Sequence, residues 1–172
     1  NLVHPLRLPE TTILDLQESL ILVRIPGEHD SGMIHLDQKQ QLKKSDIGNL
    51  VEDNVALCYR MRNDLLKSRL RELGLKLGLS WEIKKKLSSK ISSTLIDKIY
   101  QSAINAGALG GKLLGAGGGG FLMFFVPYEK NYDVTSKLRK LDLELMHFKF
   151  EPSGMRSWIS QEKFDDKLTG EN

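Results

Sequence analysis

Hydrophobic and polar positions along the 172-residue chain alternate between two periods. "SLILVRIP", Ser19 to Pro26, is an unbroken β-prone run closed by proline and glycine, and it predicts a strand. Beyond the turn, Ser31 is placed to cap a short helix carrying Ile34, Gln38 and Leu42. Ser45 offers the next cap, and Ile47, Leu50, Val51, Asn54, Cys58, Met61 and Leu65 follow at three- and four-residue spacing, which predicts an amphipathic helix to about Leu66. Within it Cys58 reads as a small buried apolar group. Leu70, Leu73, Leu77 and Trp81 carry a helical stripe through Gly74 and Gly78, although each glycine costs ~1 kcal/mol against alanine in a helix. The pattern favours one helix from about Arg69 to Leu87 with Ser68 as its cap; a break at Gly78 with a restart at Ser80 is the alternative.

The clearest helical signal is "SSTLIDKIYQSAINAGALGG", with Ile96, Ile99, Tyr100, Ala103 and Ile104 as its stripe. Thr94 and Asp97 have capping-box spacing, and Gly107 is suited to the left-handed position that ends a helix. "GKLLG" and "FLMFFV" then read as strands separated by a glycine run, the second apolar throughout as for a strand covered on both faces. Residues 131 to 141 predict a short helix through Val134, Leu138 and Leu141. "LMHFKFE" alternates well enough for a half-exposed strand, with "MRSWIS" as its hairpin partner after the Pro152–Gly154 turn.

Strands at both ends with helices between them predict an α+β fold: a mostly antiparallel sheet of about four to five strands with helices packed on one face. No internal repeat is visible. Residues 1–160 are expected to form one domain, and the charged, aperiodic tail 161–172 is expected to be loose. The composition, 40% hydrophobic and 27% charged, is that of a folded soluble chain. The net charge of +3 arises from 25 basic and 22 acidic side chains and is too evenly spread for a nucleic-acid binder. The densest basic run, Lys84, Lys85 and Lys86, reads as the solvated face of a helix. One cysteine allows no internal disulfide or thiolate metal cluster, which suits a reducing, cytoplasmic setting. No window has the length of a membrane span, and no signal pattern opens the chain. The start at Asn1 without methionine reads as the middle of a connection rather than a natural beginning.

The segment "KLLGAGGGGFLMFFVP" carries the chemistry. Residues 115 to 120 hold five glycines in six positions, so something there requires bare backbone. The apolar flanks weigh against a linker, and the missing Gly-Lys-Ser/Thr excludes a Walker loop. Gly115, Gly117 and Gly120 satisfy the dinucleotide spacing, but a strand rather than a helix follows. A tight-packing device and an anion-facing loop remain.

The longer string "AGALGGKLLGAGGGGFLMFF" resembles the third signature motif of the GHMP kinases, the superfamily of galactokinase, homoserine kinase, mevalonate kinase and phosphomevalonate kinase. With "LSWEIKKKLS", "IDKIYQSAINAGALGGKLLGAGGGGF" and "FKFEPSGMRSW" in order, the likeness within that superfamily runs toward the D-glycero-D-manno-heptose phosphate kinases. The resemblance implies a GHMP kinase C-terminal, ferredoxin-like domain, the acceptor side of a two-domain kinase. The second motif, Pro-x-x-x-Gly-Leu-Gly-Ser-Ser, occurs nowhere in the chain. The ATP loop, the catalytic Asp and most contacts to ATP and Mg²⁺ are therefore expected from an N-terminal ATP-binding domain, with no catalytic residue and no metal ligand set in this chain.

By the same resemblance Gly115, Ala116, Gly117, Gly118, Gly119 and Gly120 form a cleft loop that approaches the phosphoryl group and the acceptor. Lys112 at its edge either reaches a sugar phosphate or is solvated. His29, Asp30 and Ser31 stand where the superfamily often carries polar acceptor-binding residues; capping a helix is the other reading of Asp30 and Ser31. His35 and Asp37 lie two apart, with no third ligand at metal spacing. The implied activity is phosphoryl transfer from Mg-ATP to a hydroxyl of a sugar or sugar phosphate, absent in this chain alone. Its implied partners are that N-terminal domain and the small-molecule acceptor, with no nucleic acid and no membrane, and exposed apolar surface favours a homodimer. The competing class is a free-standing α+β module that binds a ligand or partner without catalysis.

Overall fold

The computed structural model describes residues 5–26, 32, 36–37 and 47–158. Helix α1 (Glu10–Ser19) runs directly into strand β1 (Leu20–Ile25). Then follow α2 (Ile47–Leu66), α3 (Leu70–Lys86), α4 (Thr94–Ala106), β2 (Gly110–Leu113), β3 (Gly120–Phe125), a 3-10 turn at Tyr128–Lys130, α5 (Asn131–Arg139) and β4 (Leu145–Met146). The strands make one antiparallel sheet in the order β2-β3-β1-β4, the α+β architecture that the sequence predicts.

Register decides where the core lies. Leu122 of β3 stands opposite Val23 of β1 and Leu113 of β2, and Phe124 opposite Ile21 and Gly111. Side chains two apart share a face, so Ile21, Val23, Ile25, Leu113, Leu122 and Phe124 point together. Ile96, Ile99 and Ala103 of α4 and Val134 and Leu138 of α5 join them in one buried cluster. Each such large side chain contributes roughly 1.5–3 kcal/mol by leaving water. Trp81 enters the cluster from α3, its ring 6.1 Å from Tyr100, which lies 5.7 Å from Phe124.

Helix α3 meets β2 backbone to backbone. A Cβ on Gly110 would stand 2.2 Å from the Gly74 carbonyl oxygen and 2.7 Å from the Gly78 nitrogen, and one on Gly74 would stand 2.5 Å from the Phe125 ring. The two glycines therefore sit inside one unbroken helix because its backbone lies on the strand, which settles the choice at Gly78. Helix α2 packs along α3, tied by Lys76 to Asp64 at 2.6 Å and by the Ser80 hydroxyl to Asn54 Oδ1 at 3.4 Å.

Several expectations need correction. Helix α1 is not marked by apolar periodicity; Pro9 before Glu10 is the start signal that the sequence offers. Thr12 of α1 is buried and bonds Ser68 at 2.7 Å, and Ser68 takes a left-handed conformation between α2 and α3 instead of capping α3. The cap of α4 is Ser93, extended and accepting from the Ile96 amide at 3.3 Å, while Asp97 accepts from Ser92. Gly107 takes its expected left-handed place at φ 118°. Cys58 is exposed, because α2 turns Leu57 inward in its stead.

Strand β4 pairs with β1 only at Leu145 and Met146; the chain then leaves the ladder, and the Phe150 amide donates to the Gln17 side chain at 3.1 Å. Residues 147–158 form no strand, so the expected hairpin partner is absent there. Of the short helix after Ser31, Gly32, Leu36 and Asp37 are described and helical. Ser45 and the tail 161–172 lie outside the described residues. No described helix is long and apolar enough to cross a membrane.

Candidate functional site

The β2–β3 hairpin closes its ladder where the Leu114 amide donates to the Phe121 carbonyl at 2.8 Å. Between them the chain turns through Gly115, Gly117 and Gly118, with φ of 71°, 132° and 75°, and Gly120 opens β3 at 96°. Such angles strain any residue with a Cβ, so the run of glycines follows from the turn itself. Position 117 is also sterically closed: a Cβ would meet Ile91 Cα at 2.9 Å. The Gly118 amide donates to the Ile91 carbonyl at 2.9 Å, so it is committed to the protein rather than to a ligand.

The loop thus has two parts. Gly117 and Gly119 are buried, whereas Gly115 and Ala116 border a cleft of about 470 Å³. Asn54 of α2, Lys84 of α3 and Lys112 of β2 supply its polar wall, and Ile83, Leu87, Leu113 and Leu114 its apolar one. No carboxylate is among these described lining residues. A larger groove of about 740 Å³ lies at the opposite end of the sheet, where Tyr128, Tyr132 and His147 meet Glu18 and Glu129. It is mixed in charge and far from the glycines in the fold, so the smaller cleft is the better candidate.

Lys112 is half-buried, and its ammonium donates to the Ser80 hydroxyl at 2.8 Å, which in turn donates to Asn54. Ser80 is 4% exposed, so the lysine is held by a buried group and is not a freely solvated strand edge. Burial lowers its pKa. The sequence pattern puts Lys84 on a solvated helix face; the structure turns it inward, donating to the carbonyls of Leu113 at 2.8 Å and Gly115 at 2.6 Å. Burial, and secondarily the charge of Lys112, bring its pKa down from 10.5 to about 8. Lys85 instead pairs with Glu82 and lies over the Trp81 ring, and Lys86 is exposed. Two half-buried ammonium groups, with no facing carboxylate among the described lining residues, make a wall suited to an anion.

Of the residues singled out in the sequence, Lys112, Gly115 and Ala116 come together at this cleft. His29, Asp30 and Ser31 lie outside the described residues, as does His35. Asp37 accepts a hydrogen bond from the Ser88 hydroxyl. Among the described residues, no group of three His, Cys, Asp or Glu side chains is arranged to hold a metal ion. Lys84 is the residue that sequence reasoning misses, although it continues the stripe three positions after Trp81.

Residues 61–141, which include α3, α4, both hairpin strands and the loop, match the family model described as GHMP kinases C terminal. Over that stretch the chain is similar to a GHMP kinase C-terminal domain. It is 30% identical over 160 residues to the D-glycero-alpha-D-manno-heptose 7-phosphate kinase of Campylobacter jejuni, covering 91% of this chain and 46% of that protein. The chain therefore spans about half the length of the curated relative it matches. Among solved structures, a Campylobacter jejuni putative sugar kinase is 31% identical, with a TM-score of 0.59 over 91% of this chain and 44% of that one. The GHMP fold extends further, to an L. major mevalonate kinase in complex with R-mevalonate, at 20% identity and TM-score 0.65 over 70% of this chain and 37% of that one.

Proposed function

We propose that this chain is the C-terminal, acceptor-side part of an ATP-dependent kinase of sugars or sugar phosphates, with a heptose 7-phosphate-like acceptor. The observation that carries the reading is the cleft itself: a glycine turn beside two half-buried lysines, in a chain 30% identical to a heptose 7-phosphate kinase over 91% of its length. In this reading Lys112 neutralises a phosphate of the acceptor. One of its three donor positions is set by the Ser80–Asn54 relay, leaving two N–H groups for oxygen atoms. Gly115 and Ala116 let that phosphate approach the backbone closely, and the apolar wall excludes water. The acceptor hydroxyl attacks the γ-phosphorus of ATP and gives up its proton to the catalytic Asp assigned to the N-terminal domain, while the bond from that phosphorus to the β,γ-bridging oxygen breaks to release ADP.

Positioning and charge neutralisation are the main contributions that a protein makes to phosphoryl transfer, so a domain without a reactive side chain still shapes the rate. Mg²⁺ would be held, with the ATP loop, by an N-terminal domain and would supply charge neutralisation there, and the chain alone is inactive. His29, Asp30 and Ser31 are assigned to the acceptor side, and the setting is the cytoplasm. The test is ADP release by this chain alone and by the chain joined to the coding sequence upstream of Asn1, against sugars and sugar phosphates including heptose 7-phosphate. Turnover by the joined protein with one sugar phosphate, and none by the chain alone, is the expected result. Absence of ADP release with every acceptor would contradict it in favour of a binding module.

A further inference from the structure

The two limbs of the glycine loop are fastened from one short stretch of chain. On the near limb, the Lys84 ammonium, in the last turn of α3, donates to the carbonyls of Leu113 and Gly115, 29 and 31 residues away. On the far limb, the Ile91 carbonyl accepts from Gly118. That connection is itself built: the Ile91 amide donates to the Ser88 carbonyl at 3.3 Å, the Lys90 amide to the Ser88 hydroxyl at 3.1 Å, and Ser88 is 4% exposed. A loop without side chains has only its backbone to be held by. Of these two described contacts, Lys84 is the one that a substitution can remove without touching the main chain.

We propose that Lys84 is a positioning residue: it holds the carbonyls of Leu113 and Gly115 so that the turn and Lys112 keep the spacing that a phosphate group requires. This rests on the reading of the cleft as a phosphate-binding acceptor site. The choice of residue follows from chemistry. Two carbonyl oxygens on neighbouring residues need a compact donor with several N–H groups, which an ammonium supplies. Two of its three N–H groups are spent on carbonyls, so its part is to fix the loop, while Lys112 meets the anion. The donation is charge-assisted and comes from a half-buried stem, and both features favour a fixed geometry over a mobile one. The lowered pKa agrees with an ammonium held away from water.

Amide hydrogen exchange on the wild-type chain, Lys84→Met, Lys84→Arg and Lys86→Met tests the proposal, together with titration by inorganic phosphate read from amide shifts at residues 115–120. Lys84→Met is expected to speed exchange at Leu114 and Gly118 about tenfold or more while the β3 amides change less than about twofold. Lys84→Arg restores most of that protection, and Lys86→Met changes nothing. Phosphate is expected to bind at least about fivefold more weakly to Lys84→Met than to wild type. Unchanged protection at Leu114 and Gly118 would overturn the proposal. So would equal loosening of loop and β3, which marks a role in stability alone, or equal phosphate affinity in both proteins, including none in either. The kinase reading fails separately, through absence of ADP release by the joined wild-type protein.

Discussion

Two groups of glycines within fifty residues of each other meet opposite demands. Gly74, Gly78 and Gly110 lie where α3 rests on β2; a Cβ on Gly74 would collide with Phe125, one on Gly110 with the backbone of α3, and one on Gly78 would press the Tyr100 hydroxyl at 3.3 Å. Gly115, at the tip of the loop, has nothing among the described residues within 4 Å of where a Cβ would stand, but a φ of 71°. The first group is bare because of a neighbour, the second because of its own dihedral angle. Glycine content alone therefore does not mark a functional loop; the packing set bears on stability, and the tip on the turn beside the cleft.

The contrast breaks most visibly at Gly110→Ala. Its Cβ would collide with main-chain atoms that cannot move without shifting α3, and a loss of about 3 kcal/mol or more is expected, read as a fall in the denaturant midpoint. Gly74→Ala meets the Phe125 side chain instead, which has some room to turn, so about 2 kcal/mol is expected by the same measurement. Gly115→Ala sharpens the comparison from the other side. Only the left-handed angle opposes it, at about 1 kcal/mol, or roughly 2–4 °C in Tm. In the joined protein its turnover is expected to fall about tenfold, because the tip borders the cleft. Gly118→Val is a poorer probe than Gly115→Ala: at φ 75°, with its amide bonded to Ile91, that variant loses stability as well as rate.

The smallest effect is a pH dependence. Lys84 titrates at about 8 in the folded chain and near 10.5 when unfolded, so between those values the unfolded state binds more protons and stability from this group rises with pH. Below pH 8 the cost of burying the charge is present in full. Lys84→Met should abolish that rise, on the order of 1 kcal/mol once solvent contact is allowed for. Lys112 acts in the same direction and remains in both proteins, and Tyr100, whose pKa is raised by burial, opposes it above pH 10. Urea unfolding of both proteins at pH 7.5 and 9.5 reads the difference directly.

Much of this was legible in the sequence. The stripe through Leu73, Leu77 and Trp81 marked α3 despite its glycines, and the apolar run of β3 and Gly107 fixed the order helix, strand, loop, strand. What escaped depended on how elements rotate against one another. Cys58 and Leu57 are adjacent on α2, and only packing against α3 decides which is buried. Lys84 in a run of three lysines resembles a solvated group until α3 is laid on β2, although its place three residues after Trp81 put it on the buried stripe. The alternation of residues 145–151 predicted a strand, but only Leu145 and Met146 pair with β1, and the Phe150 amide bonds the Gln17 side chain of α1 instead of a second strand. The glycine motif pointed to the candidate cleft, while the lysine that bonds two of its carbonyls came from a different element altogether.

The most direct measurement is the acceptor KM and the Tm of the joined protein, wild type beside Lys112→Met. A lysine that meets the acceptor phosphate predicts ADP release by the wild type and a KM raised about tenfold or more in the variant, with Tm within about 2 °C. An unchanged KM in a folded variant would contradict the placing of the acceptor at the glycine cleft.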